Sequence, residues 1–116
     1  MEEITLYHNP RCSKSRQALA TLTDRDLSLS VIHYLSTPLN HDELRALLQK
    51  LQLSAHQVIR TKEPIIRENN YKIDEMSEHE LIDLITRHPI LLERPIVANT
   101  TRAVIGRPPE NIEEVL

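Results

Sequence analysis

Ile4-Thr5-Leu6-Tyr7-His8-Asn9-Pro10-Arg11-Cys12-Ser13-Lys14-Ser15-Arg16-Gln17-Ala18-Leu19-Ala20-Thr21-Leu22 changes its hydrophobic pattern halfway along. Ile4, Leu6 and Tyr7 make a short apolar stretch, and Pro10 cannot continue a central strand, so a strand ends in a turn at His8-Asn9-Pro10. From Ser13 onward the run lacks Gly and Pro, and Ala18, Leu19 and Leu22 recur at helical spacing. This pattern predicts a helix with Cys12 at its start. Leu27, Leu29 and Val31 then alternate up to His33 and Tyr34 as a second strand would, completing a β-α-β opening.

Beyond Thr37-Pro38, Asn40 and Glu43 have capping-box spacing, and Leu44, Leu47, Leu48 and Leu51 form a helical stripe assigned to the core. Ser54 predicts a cap for a short helix through Arg60, limited by Pro64, and residues 61–74 read as the least regular part. Ser77 and Glu80 form a second capping box before Leu81, Ile82, Leu84 and Ile85, and Pro89 stops that helix. Pro95 opens Ile96-Val97-Ala98, Asn99-Thr100-Thr101 turns the chain, and Ala103-Val104-Ile105 returns before Gly106, which is a hairpin pattern. Pro108-Pro109 suits the first turn of a last short helix holding Ile112, Val115 and Leu116. The order predicts an α/β chain of thioredoxin-like fold. It has a four-stranded mixed sheet flanked by helices and a helical insertion between strands two and three, within one domain spanning residues 1–116.

Composition narrows the function. With 116 residues about two-thirds of the extended surface can be buried, enough for a core without staples. Phe and Trp are absent, so that core is built from Leu, Ile, Val and Ala. A net charge of -3 argues against nucleic acid as a partner. One glycine excludes the multi-glycine phosphate loops, and one cysteine excludes an internal disulfide. Met1-Glu2-Glu3 lacks the basic start of a leader and no run reaches membrane-spanning length, so the expected location is cytoplasmic, with no membrane partner. His33, His41, His56, His79 and His88 show no pairing at metal-ligand spacing, and no metal is expected.

Cys12 is the residue whose context suggests chemistry. A thiol opening a helix meets free backbone N–H groups and the positive dipole end, which stabilise a thiolate and can hold an oxyanion. His8, Arg11, Lys14 and Arg16 are expected to lower its pKa further by their charge. A phosphatase loop of the Cys-x5-Arg type would need arginine where Ala18 stands, and a Cys-x-x-Cys pair would need cysteine in place of Ser15.

His8-Asn9-Pro10-Arg11-Cys12-Ser13-Lys14-Ser15-Arg16 resembles the active-site segment of the glutaredoxin-coupled arsenate reductase (ArsC) family, in the subgroup with Cys-Ser-Lys-Ser. Arg60, Arg94-Pro95-Ile96-Val97 and Ile105-Gly106-Arg107-Pro108-Pro109 fall where that family carries three oxyanion-binding arginines, so the resemblance runs along the whole chain. It implies Cys12 as the nucleophile, His8 and Ser15 as thiol-activating neighbours, and Arg60, Arg94 and Arg107 as oxyanion ligands. Pro95 is implied to be a structural cis-proline. The implied reaction reduces arsenate or a similar oxyanion, with no bound cofactor, glutathione as co-substrate and glutaredoxin as the reductant. The same fold serves Spx-type regulators that bind RNA polymerase, and a glutathione-dependent reductase of another substrate is the remaining alternative.

Overall fold

In a computed structural model that describes residues 3–116, the alternation at the start of the chain becomes strand β1 (Glu3–Tyr7), whose Ile4 and Leu6 are fully buried. Met1 and Glu2, on which the reading of the leader partly rests, lie outside the described residues. Helix α1 (Ser13–Thr23) follows, then β2 (Ser28–Ile32), which pairs parallel to β1 from Glu3 opposite Ser28 to Tyr7 opposite Ile32. The hairpin strands β3 (Ile96–Ala98) and β4 (Ala103–Ile105) add antiparallel, giving the order β2-β1-β3-β4. The mixed thioredoxin-like sheet expected from the element order is therefore present.

The chain divides into two compact units, one running up to Thr37 and resuming at Arg94–Leu116, the other spanning Pro38–Glu93. The sheet belongs to the first. Ile4 and Leu6 of β1, Ala18 and Leu22 of α1 and Val97 of β3 form a core cluster closed by Ile112 and Val115. Those last two lie on a 3₁₀ helix, Pro109–Val115, where the sequence predicts a short helix of unspecified type. Fully burying each Leu or Ile contributes about 1.5–3 kcal/mol, so this small cluster is a large part of what holds the unit together.

The second unit is the expected helical insertion. Helix α2 (His41–Leu51) starts at the Asn40–Glu43 capping box and buries Leu44, Leu47, Leu48 and Leu51, as assigned. It ends without a glycine: Gln52 takes the left-handed conformation at φ 57°, while the Leu53 N–H closes back on the Leu48 carbonyl. Helix α3 (Ala55–Val58) is shorter than predicted because Ile59 turns extended and bridges Leu92, and Arg60 donates its N–H to the Leu91 carbonyl. Pro64, a limit on the preceding helix, also opens α4 (Pro64–Glu68), where its missing N–H costs nothing. Helix α5 (Glu78–Arg87) has the Ser77–Glu80 capping box and buries Leu81, Ile82, Leu84 and Ile85 beside α2. Among the described residues no helix is long and apolar enough to cross a membrane.

Candidate active site

Cys12 is the N-cap residue of α1, with extended backbone (φ -97°, ψ 122°) and only 8% exposure. Its own N–H donates to the Asn9 carbonyl at 3.0 Å and its carbonyl accepts from Arg16 at 3.0 Å, so the turn is fixed on both sides of the sulfur. Serine, threonine, asparagine or aspartate usually fills this place, capping the helix with an oxygen. Here a sulfur takes the position. No hydrogen bond of full capping geometry reaches it, yet the Ser15 and Lys14 N–H groups stand close enough to favour its anion.

Burial alone pushes the Cys12 thiol up, since a charge is costly away from water. The Ser15 N–H, a hydrogen bond from the Arg94 side chain, the Lys14 N–H and the Arg94 charge together outweigh that penalty and hold the thiol below its ordinary value. The direction and the role of the helix N–H groups agree with the sequence argument. The charge does not come from the expected His8, Arg11, Lys14 and Arg16; Arg94 supplies it.

His8 is the clearest case. It is buried, and burial, with His33 and Arg16 nearby, lowers its pKa and keeps the ring neutral. Its Nδ1 lies 2.7 Å from the Ser15 Oγ, which also accepts the Asn9 N–H at 3.0 Å. A neutral ring can accept the Ser15 hydroxyl proton, and that assignment satisfies the fully buried Ser15 at both ends. His8 and Ser15 thus hold the loop before Cys12 in shape. Asn9, which the sequence did not single out, adds an Asx turn through its Oδ1, accepting from the Arg11 N–H at 3.0 Å.

The arginines arrive by register. Ile96 pairs with Ile105, Val97 with Val104 and Ala98 with Ala103; extending that register one step past the strands puts Pro95 opposite Gly106, and a second step puts Arg94 opposite Arg107. The Gly106 N–H donates to the Pro95 carbonyl at 2.8 Å, and Arg107 Nε donates to the Arg94 carbonyl at 2.7 Å. Arg107 Nη2 then reaches the Cys12 Sγ at 3.5 Å. The Arg94–Pro95 bond is cis, and so is Arg107–Pro108, which the sequence did not flag. Gly106 is needed for close approach: a Cβ there would stand 3.0 Å from Pro95 Cγ and 3.4 Å from Ile112.

Arg60 belongs to the helical unit. Its Nε donates to Glu63 Oε2 at 3.0 Å and its Nη1 to Glu93 Oε1 at 2.9 Å. Burial works against its charge, but the two carboxylates outweigh that and raise its pKa. An anion approaching Arg60 competes with both. The structure therefore groups Cys12, His8, Ser15, Arg94, Arg107 and Pro95 in one unit and gives Arg60 partners of its own in the other. The histidines show no metal-ligand spacing along the sequence, but folding brings His41 of α2 against His79 and Asp83 of α5.

The Cys12 thiol thus stands beside two guanidinium groups on a thioredoxin-like sheet, an arrangement chemically suited to an oxyanion. The ArsC family model matches residues 7–115. An arsenate reductase of Neisseria meningitidis serogroup A is 44% identical over 117 residues, covering 100% of both chains. An arsenate reductase of Escherichia coli K12 is 35% identical over 116 residues, covering 100% of this chain and 82% of that protein. The solved arsenate reductase from Vibrio cholerae superposes with a TM-score of 0.93 at 40% identity, covering 99% of this chain and 98% of the other. The chain belongs to the ArsC family.

The geometry separates the two arguments for a lowered thiol pKa. Arg94→Ala should raise the Cys12 pKa by about 1 unit or more, the usual effect of losing an adjacent opposite charge. His8→Ala should move it less, because a neutral ring contributes no charge. Iodoacetamide alkylation across pH measures both: the rate rises with pH through the thiol pKa, so Arg94→Ala shifts the curve to higher pH. A larger shift in His8→Ala would show that the imidazolium activates the thiol after all.

Proposed function

We propose that this chain is an arsenate reductase that works through a glutathione mixed disulfide. The observation that carries the reading is the Cys12 sulfur, its pKa lowered at the start of α1, lying 3.5 Å from Arg107 with Arg94 hydrogen-bonded beside it. The Cys12 thiolate attacks arsenic, an oxygen leaves as water, and a thiol-arsenate adduct forms with arsenic still As(V). Arg94 and Arg107 hold positive charge where the oxyanion gathers negative charge, and being fixed by the hairpin they need no rearrangement as the reaction proceeds. Glutathione thiolate then attacks the Cys12 sulfur. The S–As bond breaks, its electron pair goes to arsenic, and arsenite leaves as As(III), while two thiols have become one disulfide. Glutaredoxin exchanges with that disulfide and frees Cys12. Arg60, the third arginine implied by the resemblance, is held by Glu63 and Glu93 and takes no step in this scheme.

The chain has one cysteine, so an external thiol is consumed in each turnover. Intact mass spectrometry of the protein with arsenate and glutathione, but no glutaredoxin, should show one glutathione adduct, absent in Cys12→Ser. Adding glutaredoxin, glutathione reductase and NADPH should then give arsenate-dependent NADPH loss. Sustained arsenate reduction without added thiol overturns the scheme, and capture of RNA polymerase with no turnover favours the regulator reading.

A further inference from the structure

We infer that His41, His79 and Asp83 form a binding site for a divalent transition metal ion of the zinc type, set between the N-terminal turns of α2 and α5. His79 and Asp83 lie one helical turn apart on α5, with His79 Nε2 3.8 Å from Asp83 Oδ2. A surface ion pair of that spacing would account for these two alone. His41, the first residue of α2, brings a third group to the same carboxylate: its Nε2 lies at ion-pair distance, 3.5 Å, from the other oxygen, Asp83 Oδ1. That nitrogen is buried and makes no hydrogen bond of good geometry. The two imidazole rings also lie against one another in a tilted arrangement, with centroids 4.6 Å apart and planes inclined by 45°.

The separations fit an ion. A tetrahedral zinc site with bonds of 2.0–2.2 Å spaces its ligand atoms by about 3.3 Å. All three ligand atoms here lie within 4.8 Å of one another. The widest pair therefore closes by at most about 1.5 Å, which a χ adjustment of the exposed His79 can supply. The backbones are already fixed, because each helix begins in a capping box, Asn40 with Glu43 and Ser77 with Glu80, and the leucine and isoleucine faces of the two helices are buried.

Carboxylates offset the positive helix ends: the first turn of α2 carries Asp42 and Glu43, and that of α5 carries Glu78 and Glu80, in addition to Asp83. Two imidazole nitrogens and one carboxylate suit zinc, cobalt, nickel or copper, whereas calcium and magnesium take oxygen ligands. Three protein ligands leave a fourth position for water. The bound ion would tie the starts of α2 and α5 together, stabilising the helical unit in proportion to its occupancy.

Zinc chloride titrated into the untagged chain, followed by calorimetry and thermal unfolding, tests the site. One ion should bind per chain and raise the melting temperature, and Cys12→Ser should bind it equally well. His41→Ala, His79→Ala and Asp83→Asn should each weaken binding by at least about 10–100-fold, the loss that even an outer-shell partner causes. His79 and Asp83 are exposed, so those two variants should melt like the parent without zinc. Cobalt should give the visible spectrum of a tetrahedral nitrogen and oxygen site without thiolate charge-transfer bands. Failure to bind zinc, binding unchanged in the histidine variants, or binding lost only in Cys12→Ser overturns the proposal.

Discussion

Cys12→Ser is expected to lower arsenate turnover by at least about 10⁴-fold, as removal of a covalent nucleophile does in other enzymes. The serine hydroxyl keeps nearly the same shape at the N-cap of α1, and serine is a favoured N-cap residue, so the helix start should survive. What disappears is an anion accessible near neutral pH, because the groups that lower the thiol pKa cannot bring a hydroxyl into that range. The variant should therefore keep its far-ultraviolet circular dichroism and melting temperature while losing NADPH consumption in the coupled assay. Turnover within tenfold of the parent would place the nucleophile elsewhere.

Arg94→Ala and Arg107→Ala should each lower kcat by about 10²–10³, the cost of removing one preorganised donor from a developing oxyanion. Their effects should differ in kind. Arg94 acts on the sulfur in the resting protein, so its loss also shifts the pH dependence upward. Arg107 approaches the sulfur through Nη2 and is anchored through Nε on the Arg94 carbonyl, so Arg107→Lys should not restore activity. A lysine has one charged nitrogen and cannot bind both points at once. Equal activity in the lysine variant would mean that charge alone suffices. The measurement is kcat and KM for arsenate at saturating glutathione.

Much of this arrangement was legible because its signals are local. The change from strand to helical spacing around Pro10 located Cys12 at a helix start, and two capping boxes located α2 and α5. The hairpin followed from Pro95, the polar turn and Gly106. What the sequence did not reveal depends on distant partners or on unusual use of a residue. Pro64 limits the helix before it and also opens the next, a second use that proline alone does not encode. Gln52 ends α2 in a conformation normally signalled by glycine. Glu93 meets Arg60 only because residues 59 and 92 bridge, and His41 meets Asp83 only because two helices lie side by side. Charge near Cys12 in sequence also proved a poor guide to charge near its sulfur, since burial neutralises His8 while Arg94 arrives from far along the chain.

The hairpin turn is a ruler for the site. Asn99 accepts the N–H groups of both Thr101 and Arg102 through Oδ1 and donates its own N–H to the Arg102 carbonyl, fixing how many residues separate the two strands. Side chains alternate faces along a strand, so one added or deleted residue there would turn everything beyond it to the opposite side of the sheet. Arg107 would then face away from the sulfur it now approaches. Exposed turns ordinarily tolerate insertions. This one is free in the kind of residue at Thr100 but not in number, because the distance between two guanidinium groups is counted out at the opposite end of the hairpin.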